Sequence, residues 1–165
     1  MKCARGDHVD TVNIGDHTSS EPNFIAVPAN RLKQLQWART KAKWITRNIP
    51  RADVYYRTLP GGRSLTELLA DRDIWINFHP TSTDMGLTNF AGGKEIAICV
   101  PSFRIGRWTV LATLVHELAH VNGVRGATDP QGAERAVLEC GLGRRSERTT
   151  GVDDPFTPYD PTISG

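Results

Sequence analysis

This chain contains few cysteines, and they do not form a recognisable framework. Its 165 residues include three of them, Cys3, Cys99 and Cys140, an odd number without a C-x-x-C pair. This count excludes a small domain built on several disulfides. Cys99 and Cys140 lie in apolar segments and are expected to be buried free thiols, although a single bridge among the three would also agree with the sequence.

The chain also lacks a large charge surplus and a long apolar run. A net charge of +2, without a basic segment rich in aromatic residues, predicts neither a nucleic-acid partner nor a membrane partner. No run approaches the roughly 20 apolar residues of a membrane span. Residues 1–7 lack the apolar core of a signal peptide. We therefore expect a soluble protein. Its export would need a signal peptide that has been cleaved, a targeting signal outside this sequence or a non-classical secretion route.

A hydrophobic content of 39% is sufficient for one compact domain of this length. The periodicity predicts an α+β fold, with a small sheet packed on a central helix and further helices around it. We divide the chain into an irregular N-terminal arm (1–26), a folded domain (27–142) and a loosely ordered C-terminal tail (143–165). The predicted helices are 28–48, 64–71 and 107–121, and the predicted strands are 74–78 and 95–100, separated by a loop at 83–93 rich in Gly, Thr and Asn.

The segment His116-Glu117-Leu118-Ala119-His120 has the H-E-x-x-H spacing of zinc peptidases. Residues four apart share one helix face, so both imidazoles can bind one metal ion while Glu117 acts as general base. The surrounding helix is apolar on nearly every face and is expected to be buried, where unpartnered histidines would be costly. Gly123 is expected to end it. Two buried, hydrogen-bonded histidines without a metal are the alternative interpretation.

Zinc needs a third protein ligand, and three continuations of the motif compete for that role. The metzincin pattern would place its third histidine at Gly126, which has no side chain, so that pattern is excluded. A glutamate from the next helix, Glu134 or Glu139, is an alternative. Asp129 is the remaining candidate. It also precedes Pro130 as a helix N-cap would, and a capping carboxylate can still reach a metal with its second oxygen. A Glu134 that does not bind the metal could accept the outer N–H of a coordinating histidine.

The segment Gly126-Ala127-Thr128-Asp129 resembles the G-T-x-D segment of the aspzincins, the deuterolysin and peptidyl-lysine metallopeptidase group. The resemblance implies a zincin-like domain, zinc held by His116, His120 and Asp129, and Glu117 as the catalytic base. The tyrosine that follows in the family is replaced by Gly132, so a transition-state donor must come from elsewhere. The candidates are His79, Arg104, Tyr55, Tyr56 and Tyr159.

These features predict a zinc metalloendopeptidase acting on a peptide or protein substrate. In zincins an edge strand of the sheet pairs with the substrate, and the resemblance implies this role for one of the two predicted strands. One alternative is a bacterial toxin or lysis enzyme that cleaves cell-wall peptides, for which an inhibitor or immunity protein would be a further partner. Another is a catalytically silent binding module stabilised by a zinc ion with four protein ligands.

Overall fold

The computed structural model describes residues 12–14 and 17–142, and it confirms a single-domain α+β fold. The described part contains four strands and six helices. The strands are β1 (Asn13–Ile14), β2 (Trp75–His79), β3 (Gly86–Thr88) and β4 (Glu95–Cys99). The helices are α1 (Ala29–Asn48), α2 (Pro50–Arg57), α3 (Leu65–Ala70), α4 (Val100–Ile105), α5 (Arg107–Val121) and α6 (Gly132–Glu139).

The strands form one sheet in the order β1-β2-β4-β3. β1, β2 and β4 are parallel, whereas β3 runs antiparallel to β4. Helix α5 lies at the centre of the domain and packs against α1, α4, α6, β3 and β4. Twelve of its fifteen residues are buried, as expected for a helix whose faces are nearly all apolar.

The expected irregular arm contributes to the sheet. β1 lies within it, and the preceding Val12 is completely buried in the core. Further along, Ile25 forms an isolated antiparallel bridge with Phe78 of β2. These residues pair with β2 through backbone groups, which composition does not reveal. The predicted tail at 143–165 lies outside the described residues.

Cys99 and Cys140 are buried and free, as expected. Burial raises the pKa of the Cys99 thiol to about 12 and also raises that of Cys140. Both side chains thus belong to the core as neutral thiols. Cys3 lies outside the described residues. Among the described residues, no helix has both the length and the apolar character that crossing a membrane requires.

Candidate metal centre

Helix α5 places the two motif histidines side by side. His116 and His120 are one helical turn apart, and their Nε2 atoms lie 3.2 Å from each other. His116 is almost completely buried. Two Zn–N bonds of about 2.0–2.1 Å meeting at a tetrahedral angle would hold the nitrogens about 3.3 Å apart. This separation therefore fits a shared zinc ion, and it equally fits the N–H···N hydrogen bond of the metal-free alternative.

The outer nitrogen of His120 is held by the backbone after the helix. Its Nδ1 lies 2.8 Å from the carbonyl oxygen of Val124. The chain reaches this position because Gly123 adopts φ +92 and ends the helix, as the sequence predicted. A proton on Nδ1, donated to this carbonyl, leaves the lone pair of Nε2 directed towards His116. Metal-binding histidines commonly have such a backbone partner.

Glu117 is completely buried between α5 and the edge strand β3. Its Oε2 accepts a hydrogen bond of 2.6 Å from the hydroxyl of Thr88, whereas Oε1 has no hydrogen-bond partner among the described residues. Burial, the largest effect, and the nearby charges of Asp84 and Glu134 together raise the pKa of this carboxyl to about 8, although the hydrogen bond from Thr88 lowers it. At a pKa of about 8 this carboxyl is mostly protonated at neutral pH, so it can act as a base only where a nearby cation lowers its pKa.

The close approach of Glu117 depends on Gly86. A Cβ atom at this position would lie 2.5 Å from Cγ2 of Thr113 and 2.9 Å from Oε1 of Glu117. Sequence reasoning placed Gly86 and Thr88 in a loop and assigned the edge to one of the two longer strands. Both of those strands are interior to the sheet, and the edge beside α5 is β3. A three-residue strand is too short to show the alternation that would have indicated it.

We expect Gly86→Ala to destabilise the fold by about 1–3 kcal/mol, because the added methyl group would overpack the contact between β3 and α5. The measurement is the free energy of unfolding in urea. Gly126→Ala is the matched control, since a Cβ at Gly126 would meet nothing within 4 Å. Equal stabilities of the two variants would contradict the proposed close packing of β3 on Glu117.

A pocket of about 260 Å³ is lined by the two histidines, Asp129 and Glu134, together with neighbouring loop residues. Glu134 is 6% exposed, whereas Asp129 is exposed to solvent. Within residues 12–14 and 17–142, no three His, Cys, Asp or Glu side chains already converge on one metal-binding point. The imidazole pair is thus formed, and both candidate carboxylates line the same pocket without completing a three-member cluster.

The helix after Asp129 begins later than the sequence suggested. α6 starts at Gly132 with Gln131 as N-cap, so Asp129 is not the cap and Pro130 is not the first helical residue. The carbonyl oxygen of Asp129 accepts a hydrogen bond from the amide of Gly132 at 3.3 Å. This three-residue spacing is that of a turn. Asp129 therefore lies in the turn before the helix. Its side chain is close to Gly132, because a Cβ atom added at Gly132 would lie 2.3 Å from Oδ2 of Asp129.

The candidate transition-state donors differ in what their polar groups contact. The Tyr55 hydroxyl donates to the carbonyl of Gly132 at 2.7 Å, and Asp129 and Glu134 contribute to raising its pKa after the larger effect of burial. Tyr56 donates to the carbonyl of Val115 within the core. Nδ1 of His79 accepts the amides of two turn residues. Gly132, the partner of Tyr55, directly precedes Ala133 of the pocket wall in the chain. Arg104 is an exposed residue of α4, and Tyr159 lies outside the described residues.

Comparison with protein-family models, with curated protein sequences and with solved structures finds no match for this chain. The aspzincin resemblance therefore rests on the motif residues alone.

Proposed function

We propose that this protein is a zinc-dependent peptidase that hydrolyses peptide bonds, with Glu117 as its general base. The observation that carries the proposal is the pair of Nε2 atoms 3.2 Å apart on α5. The two histidines share a pocket with Asp129 and Glu134. Glu117, which follows His116 in the chain, is buried beside this pocket without lining it, and its Oε1 has no hydrogen-bond partner among the described residues. Zinc is the metal best suited to two imidazoles and a carboxylate in a site that leaves a position for water.

His116 and His120 would hold the metal, with Glu134 as the favoured third ligand. Glu134 is buried in the pocket wall, and its charge acts on Glu117. Asp129, the ligand that the aspzincin resemblance implies, can leave its turn for solvent at lower cost. Burial is therefore the reason to prefer Glu134.

A bound zinc ion lowers the pKa of its water towards neutrality and polarises the scissile carbonyl. The chain supplies the proton transfers. Oε1 of Glu117 takes the proton of the attacking water and returns it to the leaving amine. Thr88 holds the other oxygen of the same carboxylate and thereby fixes its orientation. The hydroxyl of Tyr55 keeps the start of α6, and with it the pocket wall, in place.

The strand β3 offers a backbone surface on which a peptide could lie. Met85 and Asn89 exchange hydrogen bonds with β4, so by alternation along an antiparallel ladder the N–H and C=O groups of Gly86 and Thr88 point to the other side. Within the described residues no strand pairs with that side. An extended substrate pairing there would lie next to Thr88, whose hydroxyl donates to Glu117.

We expect the purified protein to bind about one zinc ion per chain and to lose peptide hydrolysis on treatment with a chelator, with recovery when zinc is restored. His116→Ala and His120→Ala should each abolish zinc retention after dialysis, measured by elemental analysis. His17→Gln is the matched control, because His17 is outside the pocket and stacks on Trp75. The proposal fails if the two variants retain zinc as the parent does, or if the zinc-loaded parent cleaves none of a mixed library of quenched fluorescent peptides.

A further inference from the structure

A second and larger cavity adjoins the candidate metal centre. It has a volume of about 530 Å³ and shares His120 and Gly126 with the metal pocket. Its size is within the range of about 300–1,000 Å³ that is typical of ligand sites. A molecule bound at the metal could therefore extend directly into this cavity, with His120 at the junction of the two.

The walls of the cavity are mostly apolar. Phe90, at its rim, is 63% exposed, although phenylalanine is usually buried. An exposed aromatic ring beside other apolar side chains commonly marks a binding surface. The apolar residues lining the cavity are Leu87, Phe90, Ala91, Val124 and Ala127.

The turn that carries Phe90 is firmly attached to α5. The amide of Gly92 donates to the carbonyl of His120 at 2.9 Å, and the amide of Gly93 donates to the carbonyl of Phe90 at 2.8 Å. Gly92 adopts φ +86, and a Cβ at Gly93 would lie 2.0 Å from Oδ1 of Asn89. The left-handed backbone of Gly92 favours glycine there, whereas a Cβ at Gly93 would require the Asn89 side chain to move. The wall is preformed, so binding a ligand does not have to order it.

Arg125 is the one lining residue with a permanent charge. Its carbonyl accepts hydrogen bonds from the amides of Thr128 and Asp129, at 3.2 and 2.8 Å, which fixes the backbone from which the side chain projects. Within the described part of the chain, no ion pair of Arg125 with an acidic side chain is found. A guanidinium at the edge of an apolar cavity is suited to binding a carboxylate.

We propose that this cavity is a substrate subsite that receives a bulky apolar side chain of the peptide, with Arg125 binding a carboxylate close to it in the sequence. The inference rests on the proposed peptidase function and names its substrate class: peptides that combine an apolar residue with a nearby negative charge. The carboxylate can belong to an acidic side chain or to the C-terminus of the peptide, since the guanidinium binds both in the same way.

The test measures binding separately from hydrolysis. Zinc-loaded Glu117→Gln protein is titrated with fluorescein-labelled alanine-based peptides that contain one phenylalanine and one aspartate at varied spacing. Matched peptides carry asparagine for aspartate, glycine for phenylalanine, or a C-terminal amide for the free acid. Fluorescence anisotropy gives the dissociation constants. The same unlabelled peptides are then offered to the parent enzyme, and the kcat/KM of each is compared.

We expect glycine in place of phenylalanine to weaken binding at least about tenfold. Aspartate should be preferred to asparagine by about fivefold, and added salt should reduce this preference. In the Glu117→Gln background, Arg125→Gln should remove the preference and Arg125→Lys should retain part of it. Arg57→Gln, at an exposed arginine of α2, should leave it unchanged. If Arg125 binds the C-terminal carboxylate instead of the aspartate side chain, peptides with a C-terminal amide will bind more weakly than those with a free C-terminus.

The subsite is refuted if Arg125→Gln keeps the parent's ratio of affinities for acidic and neutral peptides, or if glycine binds as well as phenylalanine. A parent enzyme that cleaves all these peptides equally would refute the subsite while supporting the peptidase. Binding that depends on Arg125, in a protein that cleaves none of the peptides, would support the subsite while refuting the peptidase. The two proposals can therefore fail independently.

Discussion

Replacing Glu117 by glutamine is expected to lower the rate of peptide hydrolysis by a factor of about 10²–10⁴, without lowering zinc content. Glutamine has nearly the same shape and can keep a hydrogen bond to Thr88, so the packing of β3 on α5 should persist. It cannot take a proton from water. Alanine would be a poorer test, because removing a completely buried side chain would also leave a cavity. Initial rates on the best library peptide and zinc content per chain are measured on the same preparation.

Glu67→Gln is the matched control for this variant. Glu67 is an exposed acid on α3, and its replacement changes the net charge equally without touching the pocket. We expect it to retain the parent's rate. A Glu117→Gln protein that hydrolyses peptides as fast as the parent would refute the role of Glu117 as the base. Zinc-loaded parent protein without hydrolytic activity would instead favour the silent binding module.

The sequence predicted helices α1, α3 and α5, whereas α2 and α4 were not predicted. Helix α5 begins at Arg107 and ends at Val121, as predicted, because its apolar run is interrupted only at its two ends. Ser64 caps α3 by accepting the amide of Glu67 at 3.0 Å, at the start of the helix predicted over 64–71. Each of these signals depends on residues within one or two turns.

The sheet was less predictable, since pairing depends on distant residues. β3 is held by hydrogen bonds to β4 and by the contact of Gly86 and Thr88 with Glu117. β4 follows β3 closely in the chain, whereas Glu117 is 29 positions after Thr88. The β3 sequence of glycine and threonine is equally typical of a loop. β1 was missed for the same reason, because it consists of two residues that pair with β2.

The candidate site was predictable only as far as the helix that carries it. The H-E-x-x-H spacing identified the two histidines and Glu117. The third ligand could not be chosen in this way, since the place of each carboxylate depends on how α6 packs against α5 and α2. The Tyr55 hydroxyl donates a hydrogen bond to the carbonyl of Gly132 at the start of α6, and these two residues are 77 positions apart in the chain. Thr88 and Gly86 were missed because they join the site only through the folded sheet.

Glu134→Gln is expected to lower zinc affinity by more than about 100-fold, the upper end of what loss of an indirect partner typically costs. Asp129→Ser should lower it by less than about tenfold. The reason is burial: Glu134 is 6% exposed in the pocket wall, whereas Asp129 lies in an exposed turn and caps no helix. Competition titration with a zinc-binding dye measures the affinity, and circular dichroism shows whether each variant is folded.

Glu139→Gln is the control on the same helix, since Glu139 pairs with Arg51 and Arg135 instead of lining the pocket, and its zinc affinity should equal that of the parent. The opposite result, in which Asp129→Ser loses zinc and Glu134→Gln retains it, would overturn the burial argument and support the aspzincin assignment. Loss of zinc in both variants would indicate four protein ligands. A metal with four protein ligands leaves no position for water, so that outcome would favour the silent module over the peptidase.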